Sequence, residues 1–397
     1  MKIVILTQYY QPEMGAPQSR LYELATGLQK LGWEVSVVTA MPNYPTGKIF
    51  KEYKGHFSVI EVAAGIKIKR LWLYASNSSS TFPRIVSMLS FSFTALFATF
   101  FIRRQKADFL LVESPPLTVA FSGWLLSKLA GCRLLLNVSD LWPLSAKELG
   151  AISDGTAYRM LEKLEKFLYR KAEVSIGQSQ EIVDHIANKG GANVYLFRNG
   201  VDIHRFKVAV KKENAGTPRL IYAGLLGVAQ GVLAICRGID FKALGVEFHV
   251  YGNGAERQEL ETFLAEHPGK NIILHQPVGR NEIPALLQGF DGTIIPLVRN
   301  IYGAVPSKIY EAMAAGLPVL FSGEGEGAAI ITKYEVGLVS PAGEMEMLKQ
   351  NIAKLMTNEA MQFSFSENGK RAAADVFDRN VQIRDLSAFL QQLSRKK

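Results

Sequence analysis

At 397 residues, 48% hydrophobic and 20% charged, the chain is too long for one ordinary core and too apolar for extended disorder. Two α/β domains of about 200 residues each are expected. Cys132 and Cys236 stand far apart in apolar segments, which excludes a disulfide framework or a zinc set and fits a reducing cytoplasm. The net charge of +9 is uneven, +8 over residues 1–200 and +1 over 201–397. No recognition helix or ribonucleoprotein signature favours nucleic acid, so the basic half points to an anionic membrane surface.

Lys2 leads a short apolar run, 3–6, that is cut off by Thr7, Gln8 and two tyrosines; 3–7 reads as a first strand and not as a signal peptide. The loop 8–17 follows. Its Gly15 lets backbone approach a sugar or phosphate, and Glu13 offers a carboxylate to a hydroxyl. A plain Pro-Gly turn explains the loop equally well, and one glycine makes no dinucleotide fingerprint. Leu21, Leu24, Ala25, Leu28 and Leu31 recur at helical spacing until Gly32, and 35–39 is the next strand. Such alternation implies a parallel, doubly wound sheet whose ligands gather outside the carboxyl ends of its strands.

Residues 85–102 carry no charge between Arg84 and Arg103-Arg104, close to the minimum length of a membrane span. A strand at 109–112 follows directly, so a span would divide the first sheet across a bilayer. The segment reads as a core helix, or as a helix lying partly in the membrane interface. A helix over 117–129 and a strand over 133–138 come next. Ser139-Asp140-Leu141-Trp142-Pro143 then places Asp140 at the ligand edge. There it holds a sugar hydroxyl, takes an acceptor proton, or caps the following helix. Residues 158–171 form another helix.

Residues 211–217 read as a linker. Strands are expected at 220–224, 246–252, 272–275, 293–297 and 319–322, with helices at 256–266, 282–287 and 345–355. Gly252-Asn253-Gly254 makes a Gly-x-Gly turn. The stretch 306–319 is the most informative: Pro306 and Ser307 supply a turn and an N-cap, Gly316 a stop, and Val319 a fresh strand. Free amides at such a helix start attract a diphosphate. Glu311, four positions after the cap, offers two oxygens to a ribose diol. An ordinary amphipathic helix has the same spacing. Scattered histidines and the lack of an Asp-x-Asp pair argue against a metal.

The segment 306–319 resembles the nucleotide-sugar site of GT-B glycosyltransferases, specifically the retaining enzymes of glycosyltransferase family 4. Their pattern runs Pro-Ser-Lys-x-x-Glu-x-Met-Ala-x-Gly-x-Pro-Val. The resemblance extends from residue 1 to about 380. Asn199-Gly200-Val201-Asp202 with Phe206 looks like the opening of the family's second domain, and Gly252-Asn253-Gly254 like its Gly-x-Gly turn. The Asp140-Leu141-Trp142-Pro143 segment is similar to that of the fucosamine-transferase-like subgroup, which builds bacterial O-antigens and capsules.

This resemblance implies two Rossmann-like domains facing across a cleft, with acceptor domain 1–207, nucleotide-sugar domain 218–380, and a last helix, about 381–397, returning to the first. It implies metal-independent, cofactor-free transfer with retention, from a UDP-sugar to a polyprenyl-diphosphate-linked saccharide at the cytoplasmic leaflet. Carried over by motif, Gly15, Arg198, Gly224, Gly252, Gly254, Val278, Arg299, Gly303, Ser307, Lys308 and Glu311 hold the donor. Glu13, Asp140 and Trp142 meet the acceptor, and Asp140, Lys308 and Glu311 carry the chemistry. Two departures stand out. Leu225 and Gln230 occupy the places of an arginine and a lysine that neutralise the diphosphate, and Gly303 that of a glutamate eight positions before Glu311. Lys308, Arg198, Arg299 and the helix start at Ser307 are left to balance leaving-group charge. The departures keep a silent GT-B scaffold, or more remotely a nucleotide-sugar epimerase of the same fold, as alternatives.

Overall fold

The computed structural model describes residues 1–13, 15–78, 80–206 and 216–395, without the side chains of Ala16 and Thr81. It divides into two compact units, Met1–Arg198 with Gln382–Lys397, and Asn199–Val381. The division comes earlier than the expected end of the first domain at 207. Val201 bridges in parallel to Asp378, and Val201 and Phe206 are buried in a core of the second unit. Residues 211–215 of the expected linker lie outside the described residues.

The first unit's sheet contains, among the described residues, β1 (Lys2–Leu6), β2 (Glu34–Ala40), β3 (Ser58–Ala63), β4 (Ile66–Leu71), β5 (Phe109–Ser114), β6 (Arg133–Val138), β7 (Val174–Gly177) and β8 (Val194–Leu196). Their order is β3-β4-β2-β1-β5-β6-β7-β8. Every pairing is parallel except the edge hairpin of β3 and β4. Ala64 and Gly65, both at positive φ, make its two-residue turn. Along β1, Val4 and Leu6 enter one core layer and Ile3 and Ile5 the other. A strand covered on both faces shows such an unbroken apolar run.

The second unit's sheet contains β9 (Arg219–Ala223), β10 (Glu247–Tyr251), β11 (Ile272–His275), β12 (Gly292–Pro296), β13 (Val319–Ser322) and β14 (Gly337–Ser340), in the order β11-β10-β9-β12-β13-β14. All its pairings are parallel. Both sheets reverse their winding beside their first strand, between β1 and β5 and between β9 and β12. Doubly wound sheets bind ligands at the carboxyl ends of the strands flanking such a reversal.

The apolar segment after Arg84 forms helix Thr81–Ala95, a tighter turn Leu96–Ala98 and helix Thr99–Gln105. Its inner face buries Phe91, Ala95, Ala98, Phe101 and Ile102 in the first unit's core. Helix Arg379–Arg395 begins in the second unit and ends in the first, where Ile383, Leu386 and Leu390 are buried. Trp33 Nε1 donates to Ser387 Oγ at 2.8 Å. Gly27 has no Cβ because Ile383 Cδ1 occupies that space.

Candidate active site

In the second unit, the chain leaving β9 and the chain leaving β10 zip together. The Gly224 amide donates to the Tyr251 carbonyl at 2.8 Å, Leu226 to Asn253 at 2.9 Å, and Glu256 back to Leu226 at 3.0 Å. A Cβ on Gly252 would collide with the Gly224 carbonyl oxygen, and one on Gly254 with that of Leu226. The Gly-x-Gly turn is thus required by this close backbone approach. Its glycines shape the site through the neighbouring loop.

Lys308 crosses directly over Gly224. A Cβ on Gly224, whose φ is +152°, would stand 2.6 Å from the Lys308 ammonium. Lys308 Nζ lies 5.0 Å from the centroid of the Tyr222 ring, a cation–π contact. The Tyr222 hydroxyl donates to the Leu225 carbonyl at 2.5 Å, tying the loop to the strand below. Burial pushes the Lys308 ammonium below the usual lysine range, and the charge of Glu311 on the same helix opposes that shift. Reading the sequence alone missed Tyr222, because nothing in the spacing of β9 marks it apart from its apolar neighbours.

The helix Lys308–Ala315 ends at Gly316 in the left-handed region, as the glycine stop predicts. Its start needs correction. Ser307 occupies the cap position in a helical conformation, and its hydroxyl makes no capping bond. The amides of Ile309, Tyr310 and Glu311 are committed to the carbonyls of Pro306 and Ser307. The attraction for an anion here therefore comes from the Lys308 charge and the helix dipole more than from a row of open amides. Leu225 is 61% exposed, while the Gln230 side-chain oxygen is buried without a partner. Neither supplies charge.

Loop 227–231 is joined to the loop after β12 by the Val298 amide, which donates to Ala229 at 3.0 Å. That second loop carries exposed Arg299 and buried Gly303, the latter at φ +87°. Gly224, Lys308, Glu311, Arg299 and Gly303 therefore lie on loops and a helix start around the β9/β12 reversal. Val278 is half-buried after the edge strand β11, two strands away from β9. Arg198, also half-buried, is the last residue of the first unit's main segment.

The first unit holds a cavity of about 610 Å³ beyond the carboxyl ends of its strands, lined in part by Gly15, Tyr44, Asn77, Ser78, Arg84 and Met88. Tyr9 and Tyr44 meet edge to face there, with centroids 6.1 Å apart. Amides, hydroxyls, aromatic rings and one guanidinium suit a hydroxyl-rich anionic ligand. Glu13 does not serve it as expected. It is 3% exposed, and its carboxylate accepts from the amides of Asn43 at 2.7 Å, Tyr44 at 2.9 Å and Tyr10 at 3.2 Å. Burial pushes its pKa up while those amides oppose the shift. Glu13 is a clamp between two loops, with no oxygen presented to a ligand.

Asp140 and Trp142 are not among the residues lining that cavity. Asp140 is half-buried and accepts from the Ser145 hydroxyl at 2.9 Å. Burial raises its pKa, against the Ser145 hydroxyl and the Leu141 amide that donate to it. It thus pins the turn before helix Leu144–Glu148, close to its expected capping alternative. Trp142 packs, half-buried, against the first unit's core. Among the described residues, no group of three or more His, Cys, Asp and Glu gathers as a metal site.

Comparisons with known proteins agree with this fold. Residues 15–200 match the model of a glycosyl transferase 4-like domain, and residues 211–372 that of glycosyl transferases group 1. The chain is 27% identical over 334 residues to a putative colanic acid biosynthesis glycosyl transferase, WcaI, of Escherichia coli K12, covering 80% of this chain and 82% of the relative. A sucrose-phosphate synthase from Thermosynechococcus elongatus shares the fold with a TM-score of 0.77 at 16% identity, over 100% of both chains. HepE of Anabaena, solved in complex with UDP-glucose, aligns with a TM-score of 0.69 at 17% identity, again over 100% of both.

Proposed function

We propose that this chain, a GT-B glycosyltransferase of the family 4 type acting in polysaccharide biosynthesis, transfers a sugar from UDP to a lipid-linked saccharide with retention of configuration. The observation that carries the reading is Lys308. It holds a positive charge over Gly224 at the β9/β12 reversal, one turn before Glu311. The nucleotide binds in the second unit, its ribose to Glu311 and its diphosphate to Lys308. HepE, bound to UDP-glucose on the same fold, supports a uridine nucleotide. The acceptor binds in the first unit, in the cavity of Tyr44, Asn77 and Arg84, with Gly15 in its wall. The subgroup resemblance around Asp140 favours an O-antigen or capsule precursor on polyprenyl diphosphate, at the inner face of the cytoplasmic membrane.

In the reaction, the bond between the sugar's anomeric carbon and the diphosphate oxygen breaks and UDP departs. An acceptor hydroxyl oxygen bonds to that carbon from the same side, and its proton passes to the departing phosphate. Lys308 and the helix dipole stabilise the charge gathering on that phosphate without a metal. Charge-neutral Leu225 and Gln230 motivate a second reading, a scaffold that binds nucleotide without turnover. Incubation with UDP-sugars and membrane extract separates the two: an enzyme releases UDP and labels the lipid fraction. Nucleotide binding with the donor left intact selects the scaffold, and interconverted free donor selects an epimerase.

A further inference from the structure

The outer face of the apolar helix is as distinctive as its inner one. Phe82, Ile85, Leu89, Phe93, Phe97 and Phe100 follow one another at steps of three or four and are all exposed, Phe82 by 74%, Phe93 by 65% and Phe100 by 76%. They form one stripe about 27 Å long at helical rise. The β3–β4 hairpin widens it. The Phe57 ring meets Phe97 at 5.6 Å, and Phe97 meets Phe93 at 5.8 Å. Exposed Ile60 and Val62 pair across the hairpin with Lys69 and Lys67. Both lysine ammoniums lie 5.8 Å from the Phe101 ring, on the helix side of the sheet. Soluble surfaces rarely leave so many large apolar side chains together without a partner.

We infer that this stripe docks the first unit onto an anionic lipid bilayer, lying in its interface without crossing it. Charge selects the occupant. Residues 62–107 hold seven Lys and Arg and not one Asp or Glu. Arg70 alone of these is buried in an ion pair, with Glu61. Of the rest, Arg103 and Arg104 stand in the last turn of the helix beyond Phe100, Lys67 and Lys69 on the neighbouring hairpin, and Arg84 and Lys106 near the stripe's two ends in sequence. A two-fold contact with a second copy would set these cations against themselves, whereas anionic headgroups neutralise them. The stretch Phe82–Gln105 is long and apolar enough to span a membrane, but 44% of its most apolar window is buried in the protein. Its phenylalanines therefore reach only the headgroup and upper acyl layer.

Arg84 and Met88 of the same helix line the 610 Å³ cavity. Docking then holds that cavity at headgroup level, where the diphosphate and first sugars of a lipid-linked acceptor stand. In this respect the inference rests on the acceptor proposed above.

Vesicle flotation tests it, with wild type, a Phe93→Ser/Phe97→Ser/Phe100→Ser variant and an Arg103→Gln/Arg104→Gln variant. Unchanged circular dichroism and thermal unfolding establish that the exposed substitutions leave the fold intact. Wild type is expected to float with vesicles containing phosphatidylglycerol, and the phenylalanine variant to bind at least tenfold less at any salt concentration. The arginine variant is expected to lose binding mainly at low salt. A wild type that never floats, or a phenylalanine variant that floats equally well, overturns the inference. So does a wild type that stays in solution as a dimer which the phenylalanine variant breaks. Turnover of a short-chain, water-soluble acceptor distinguishes the two readings. Its persistence in a protein that does not float removes only the docking, and its absence in one that floats removes only the transferase reading.

Discussion

One methyl group at Gly224 would act on a charge: its carbon would displace the Lys308 side chain passing above it. In the proposed reaction Lys308 is the residue on which turnover is expected to depend. Lys308→Met is expected to lower kcat far more than UDP affinity, and Leu225→Arg with Gln230→Lys to restore part of the loss. Because burial holds the Lys308 ammonium below the usual lysine range, its charge is lost as pH rises through that lowered value. Turnover should therefore fall on the alkaline side earlier than an ordinary lysine dictates, and Lys308→Arg should carry the fall to higher pH. Steady-state pH profiles decide this; identical alkaline limbs in both proteins would remove Lys308 from the chemistry. Glu311→Ala should weaken UDP binding by about 1–3 kcal/mol, the worth of charge-assisted hydrogen bonds to a ribose. Calorimetry with UDP measures it, and unchanged affinity would sink the assignment.

Among elements, the loop 8–17 shows how far local pattern reaches. Its glycine and prolines mark a loop, but Glu13 takes its meaning from Asn43 and Tyr44, some thirty positions on. No local window holds that information. Glu13→Ala leaves the amides of Tyr10, Asn43 and Tyr44 without an acceptor, at a cost of about 3 kcal/mol or more in a buried site. Denaturant unfolding should show it, with Glu13→Gln intermediate; an unshifted midpoint would contradict the clamp. The segment 306–319 was legible because its turn, carboxylate and glycine stop lie within a few residues of one another. By contrast, Gly252 and Gly254 owe their identity to Leu226 and Gly224 on another loop. The strands β1, β5 and β9 announce themselves as apolar runs. Hairpin β3–β4 does not, since lysines interrupt its pattern, and β14 is only Gly337–Ser340. The early division at Asn199 depends on the bridge from Val201 to Asp378, which joins distant stretches of chain.

For the molecule as a whole, helix Arg379–Arg395 makes the first unit discontinuous. Besides the Ser387 and Ile383 contacts, Phe389 packs on Tyr195 with centroids 4.6 Å apart, and Arg133 donates to the Leu393 carbonyl at 3.2 Å. Residues 1–198 expressed alone should be poorly soluble, and co-expression of a 379–395 segment should recover them. Full solubility of 1–198 without it would show that the returning helix is dispensable. The same arrangement has a consequence for birth order. The first unit emerges from the ribosome first, yet its missing helix is made only after the entire second unit. At about 5–20 residues per second, that leaves it unfinished for roughly 10–40 s. Throughout that interval the surface around Gly27, Trp33 and Tyr195, which Ile383, Ser387 and Phe389 later cover, lies open to chaperones. The part of the protein that starts folding earliest is the last to be closed.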